Sequence, residues 1–204
     1  MNKISRSIAA SGLMMLGVWP VCQASPVSFV LDYSGAAFGN TALARATLTI
    51  EDTLFPNPQD GLTFLYVGDG AITDFSLTVA GASTGNGTFG LADFDYFTWD
   101  TVGTALDFSQ NLVGQFMTGG GWGTTQDFLS GTFNFFALDS SPDAPTATLN
   151  AFQFATAGGN GGALNLTSFS PVAPAPVAVP LPAPFLMLLG TLLPLISLWV
   201  RRIR

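Results

Sequence analysis

The chain has 204 residues with thirteen Asp and Glu against six Lys and Arg, no His and one Cys, a formal charge of −7. Without His, and with its single thiol at Cys22, it lacks the side chains of Ser-His-Asp and Cys-His catalysis and of the usual zinc sites. All thirteen acids fall in residues 25–169 against one base, Arg45, so that stretch carries −12 and repels nucleic acid and anionic lipid.

The first element is a targeting segment. Lys3 and Arg6 form a basic start, residues 8–19 an apolar stretch, and Cys22-Gln23-Ala24 a small-residue cleavage site before Ser25. The apolar stretch is too short to span a bilayer, so residues 1–24 read as a signal helix engaged by the export machinery and cut between Ala24 and Ser25. Cys22 leaves with it, and the mature chain has no thiol with which to form a disulfide.

Residues 25–169 are long enough for one domain with its own core. Runs rich in Phe, Val, Leu and Thr predict strands at 27–33, 44–51, 62–67, 72–79, 94–99, 112–117, 132–138, 148–155 and 163–169, separated by Gly, Asn, Asp or Pro. Alternation is clearest where Ala46, Leu48 and Ile50, and then Phe75, Leu77 and Val79, fall on one face. No useful window has helical period. The expectation is an all-β fold, a two-layer antiparallel sandwich of jelly-roll type.

Two groups of residues in this body carry three candidate chemistries. Asp93 and Asp95 fall on one face of a predicted strand, with Asp100 at its end, a set of hard oxygen ligands suited to calcium. The same acids also serve as turn formers and solubilising charges. With His, Lys and Cys gone from the body, the remaining catalytic option is a carboxylate pair, Asp93 or Asp95 working with Asp100, as in glycoside hydrolysis. Trp122, within Gly119-Gly120-Gly121-Trp122-Gly123, either presents its ring to a sugar, with Tyr96 and Trp99 extending the platform, or plugs one end of the sandwich. No cofactor other than calcium is implied.

Residues 170–180 alternate Pro with Ala and Val and should form an extended spacer of about 3 Å per residue. Residues 181–200 then run without a charge, about 30 Å as a helix, which matches the hydrocarbon thickness of a membrane. Arg201, Arg202 and Arg204 close the chain and should hold that end in the cytoplasm.

Val179-Pro180-Leu181-Pro182-Ala183, the apolar span and the Arg-rich end together resemble the PEP-CTERM class of bacterial sorting signals, in its VPLPA variant. Leu181 stands where the commoner Pro-Glu-Pro form has Glu. The resemblance covers residues 179–204. It implies recognition and cleavage by an exosortase-type membrane enzyme, and leaves the body to be read on its own residues. The expected whole is an exported, non-catalytic surface or extracellular-matrix protein. It would be held briefly by its C-terminal helix, then released to the cell surface or beyond, in contact with extracellular polysaccharide. A calcium- or glycan-binding secreted module, and a carboxylate-based hydrolase, are the alternatives.

Overall fold

Period-two alternation places every second side chain of the central strands inward, and those side chains are mostly aromatic. The computed structural model describes residues 26–124 and 131–173. Its strands are β1 (Val27–Ser34), β2 (Leu43–Ile50), β3 (Thr63–Tyr66), β4 (Ile72–Ala80), β5 (Gly87–Gly90), β6 (Phe94–Asp100), β7 (Phe116–Met117), β8 (Gly120–Gly121), β9 (Thr132–Ala137), β10 (Thr146–Ala147), β11 (Gln153–Ala155) and β12 (Ala163–Pro171). Among the described residues the helical content is short 3-10 turns at Ala36–Phe38, Leu91–Asp93 and Ala157–Gly159. Among the described residues no helix is long and apolar enough to cross a membrane.

The fold is all-β and antiparallel. Seven strands form one sheet in the order β10-β11-β12-β1-β2-β4-β5, three form a second in the order β3-β6-β9, and β7-β8 is a small ribbon. The two larger sheets face each other through their aromatic residues. Phe75 of β4 lies 4.9 Å from Phe97 of β6 and 5.4 Å from Phe135 of β9, and Tyr33 of β1 lies 6.1 Å from Phe135. The inward sets expected from the sequence are in place, with Ala46, Leu48, Ile50, Phe75, Leu77 and Val79 all buried. Each fully buried aliphatic or aromatic side chain contributes about 1.5–3 kcal/mol relative to exposure. The core is therefore built on Phe packing rather than on the Val and Ile layers of many sandwiches.

Several expected elements differ. The strand expected at 112–117 shrinks to β7, because the Leu112 amide donates to the Phe169 carbonyl (2.8 Å) and draws the segment against the end of β12. The strand expected at 148–155 shrinks to β11. β5 lies outside the expected strands, and it pairs with β4 from Ser76↔Gly90 to Val79↔Gly87. A jelly roll distributes eight strands through two Greek keys. Here β1 is the hub of the larger sheet, with β2, β4 and β5 following on one side and β12, β11 and β10 on the other.

β12 continues through Pro171, where the compact unit ends. The expected signal segment with its cleavage site at Ala24 and Ser25, the motif Val179 to Ala183, the expected span 181–200, and Arg201, Arg202 and Arg204 lie outside the described residues.

Candidate functional site

The outer face of the three-stranded sheet carries a cluster of four aromatic rings. On β3, Leu65 turns inward while Phe64 and Tyr66 turn out and are 47% and 50% exposed. On β6 the register breaks between Phe94 and Tyr96, so Asp95 is an extra residue of a bulge. That bulge lets Phe94 and Phe97 both point into the core while Tyr96 between them points out. The Val67 amide secures it by donating to the Asp95 carbonyl (2.9 Å). On β9, Phe133 and Phe135 enter the core and Phe136 turns outward, half-buried.

Register brings these residues into one row. Tyr66 is opposite Tyr96, and Tyr96 is opposite Phe136. Tyr96 and Phe136 stack at 4.4 Å with an interplanar angle of 18°, while Tyr66 and Phe64 stand 5.6 Å and 5.5 Å from Tyr96. The adjoining row is Phe64, Thr98 and Asn134, with Asn134 donating to the Asn150 carbonyl at 3.2 Å. Partial burial, the nearby Asp95 carboxylate and Tyr66 all raise the Tyr96 phenol above its ordinary value, so it stays neutral and able to donate at physiological pH. A flat aromatic surface with hydroxyl groups at its margin suits the apolar face of a sugar ring, which leaves the sugar hydroxyls free for water or neighbouring polar groups.

The residues singled out in the sequence do not converge. Asp93 lies in the 3-10 turn, where its Oδ2 accepts from the Gly90 amide (2.8 Å) and its Oδ1 from the Ser141 hydroxyl (3.2 Å). Asp95 is exposed on the bulge, and Asp100 is 8% exposed at the far end of β6, accepting from the Val102 amide at 2.7 Å. Seven strand steps separate Asp93 from Asp100, roughly 20 Å. Among the described residues no group of three or more His, Cys, Asp or Glu is placed to hold a metal ion. Asp93, Asp95 and Asp100, the residues of the expected calcium set and carboxylate pair, are thus spread along β6 and its entry turn, because a 3-10 turn and a bulge break the strand period that would align them.

Trp99 and Trp122 also depart from the platform reading, since both are fully buried. Their rings lie 5.2 Å apart; Trp99 Nε1 donates to the Pro56 carbonyl (2.6 Å) and Trp122 Nε1 to the Asp100 carbonyl (3.0 Å). They plug the core, which is the other reading of Trp122. Tyr96 alone remains at the surface, and its companions are Phe64, Tyr66 and Phe136. Those were hidden in the sequence because Leu-Thr-Phe-Leu-Tyr and Phe-Asn-Phe-Phe are apolar on both faces, and a run of that kind does not say which ring faces out.

No protein-family model, curated protein or solved structure matches the chain.

Proposed function

We propose that this chain is an exported, non-catalytic surface or matrix protein whose two-layer sandwich holds neutral polysaccharide on the aromatic face around Tyr96. The observation that carries the reading is the outward cluster of Phe64, Tyr66, Tyr96 and Phe136 on a domain whose other large aromatics are mostly buried. The signal segment and the VPLPA-type tail supply delivery: export, transient anchoring through residues 181–200, and release by an exosortase-type enzyme. The −12 charge of the body disfavours anionic partners, while a neutral glycan stacks on rings without that penalty.

Two measurements test this. Intact mass of the protein from its native host should give an extracellular species beginning at Ser25 and ending within Val179 to Ala183. A membrane-bound species that keeps Arg204 overturns the sorting part. Electrophoresis through gels containing neutral polysaccharides should retard the protein, and a Phe64→Ala/Tyr66→Ala double variant should migrate freely. Equal migration of the two proteins in every gel overturns the aromatic site.

A further inference from the structure

On the opposite face of the domain lies a second surface that the aromatic cluster does not explain. The outer side of the seven-stranded sheet forms an open groove of about 570 Å³ over β1, β2 and β4, edged by Thr167 of β12. One bulge lies within it, breaking the β1–β12 register between Asp32 and Tyr33 and leaving Thr167 as the extra residue; a second, between Thr49 and Ile50 of β2, lies beyond its end. Bulges strengthen local twist and curl a sheet, which turns a flat outer face into a trough. Thr167 turns its hydroxyl onto the Asp32 carbonyl (2.9 Å).

The lining is chemically selective. Arg45, the single base in residues 7–200, sits in the groove directly opposite Asp32 on the neighbouring strand. The pair is loose, with Nη1 to Oδ1 at 3.7 Å, and its side chains are 69% and 44% exposed. At that separation the guanidinium and the carboxylate keep most of their hydrogen-bonding capacity for a third party. Thr47 and Thr78 flank Arg45 with hydroxyls, and Leu43, 58% exposed, supplies an apolar ledge. A guanidinium donates and a carboxylate accepts, so the two together match a vicinal diol, one hydroxyl donating to Asp32 while its neighbour accepts from Arg45. An anionic ligand fits poorly, because its charge would face Asp32 and the acidic body.

We infer that this groove is a second saccharide site, taking a neutral, diol-bearing sugar segment through Asp32 and Arg45, independently of the aromatic face. The test uses the full chain in detergent micelles with cellohexaose, laminarihexaose and mannohexaose as neutral probes and polygalacturonate as the anionic one. Arg45 is labelled by an arginine-directed dicarbonyl, read as the mass of the peptide that contains it. At least one neutral hexasaccharide should protect Arg45, with Asp32→Asn raising the half-protecting concentration about tenfold, and Arg45→Gln, which removes the labelled side chain, should weaken binding of that probe about tenfold by titration calorimetry, the loss of one charged hydrogen bond. The Phe64→Ala/Tyr66→Ala variant should keep the protection, which separates this site from the aromatic one. Unchanged labelling with all three neutral probes at about 10 mM, a concentration that detects even millimolar affinity, overturns the inference. So does protection by polygalacturonate alone, or protection that survives Asp32→Asn and vanishes in the aromatic variant.

Discussion

Phe75→Ala is the substitution that best tests whether the two sheets share one core. Phe75 is 1% exposed on β4, and its ring lies 4.9 Å from Phe97, 5.1 Å from Phe94 and 5.4 Å from Phe135, all on the opposing sheet. Truncating a ring in a filled core costs about 3–5 kcal/mol, the transfer term plus the cavity left behind. The Phe75–Phe97 and Phe75–Phe94 pairs, near edge-to-face at 82° and 83°, contribute about 0.5–1.5 kcal/mol each within that loss. A domain of this size holds only about 5–15 kcal/mol in all, so the variant stays folded with a much reduced margin. With a urea slope near 2 kcal/mol per molar, the midpoint should fall by about 2 M. Tryptophan fluorescence can follow the transition, since Trp99 and Trp122 leave a buried environment on unfolding. Phe136→Ala, on the outer face, should cost only about 1 kcal/mol. A double-mutant cycle between Phe75 and Phe135 should leave a coupling of about 0.5 kcal/mol or more. A loss below about 1 kcal/mol for Phe75→Ala, with no coupling to Phe135, would refute the shared core.

The other predictions test strain, charge and buried polar groups. The Tyr33 hydroxyl is buried without a hydrogen-bond partner among the described residues, and burial pushes its phenol far above the ordinary range. Its stability contribution is therefore complete below about pH 10, the unfolded value, and is lost as pH rises beyond it. Tyr33→Phe should add about 1 kcal/mol at neutral pH and flatten the alkaline fall, read from urea midpoints at about pH 7 and pH 11. Gly161→Ala would drive a Cβ onto the Thr84 carbonyl and the Thr156 hydroxyl, and should cost more than about 2 kcal/mol in thermal unfolding. Gly158→Ala meets no neighbour but keeps φ at +64°, so its loss should stop near 1–2 kcal/mol, roughly the left-handed backbone term. The Ser109 hydroxyl and amide hold the exposed Asp107 carboxyl below its usual value. That contribution is present above the unfolded value and lost as pH falls through the folded one, so Asp107→Asn should lose less stability between about pH 5 and pH 2 than the wild type.

The parts of the fold that were legible are those where one physical signal stood alone. Arg45 to Glu51 and Asp74 to Val79 alternate apolar and polar residues, and the central strands β2 and β4 follow with the expected faces inward. Where a segment is apolar on both faces, period two survives but its phase does not, and that is why Phe64, Tyr66 and Phe136 were not read as surface residues. The acidic set is spread out for a related reason. Asp93 and Asp95 share a face only on an unbroken strand, and both the capping hydrogen bond from Gly90 and the bulge at Asp95 are set by tertiary pairing. Trp122 shows the opposite limit: its glycine setting permits an exposed loop or a tight turn, and burial against Phe152 (4.9 Å) and Phe169 (5.6 Å) decides between them.

The edges of the sheets give a separate argument for the aromatic face. An open antiparallel sheet must discourage strand addition at its edges, commonly with Lys, and this body has none. At the larger sheet, β10 is two residues long, and β5 is four with Gly at both ends. β9 is covered on its free side, where the Ala137 amide donates to the Thr146 hydroxyl (3.4 Å). β3 is different. It is an outer strand bearing Phe64 and Tyr66, 47% and 50% exposed, with Leu62, 44% exposed, just before it at the same alternation. Left bare, that row would invite a second copy, but two bodies of −12 each repel one another on approach. A neutral polymer meets no such repulsion and covers the same rings. Charge and surface shape therefore favour a glycan over self-association. The prediction is that the wild-type protein stays monomeric at low salt and that added neutral polysaccharide, not added salt, protects Tyr66 from iodination.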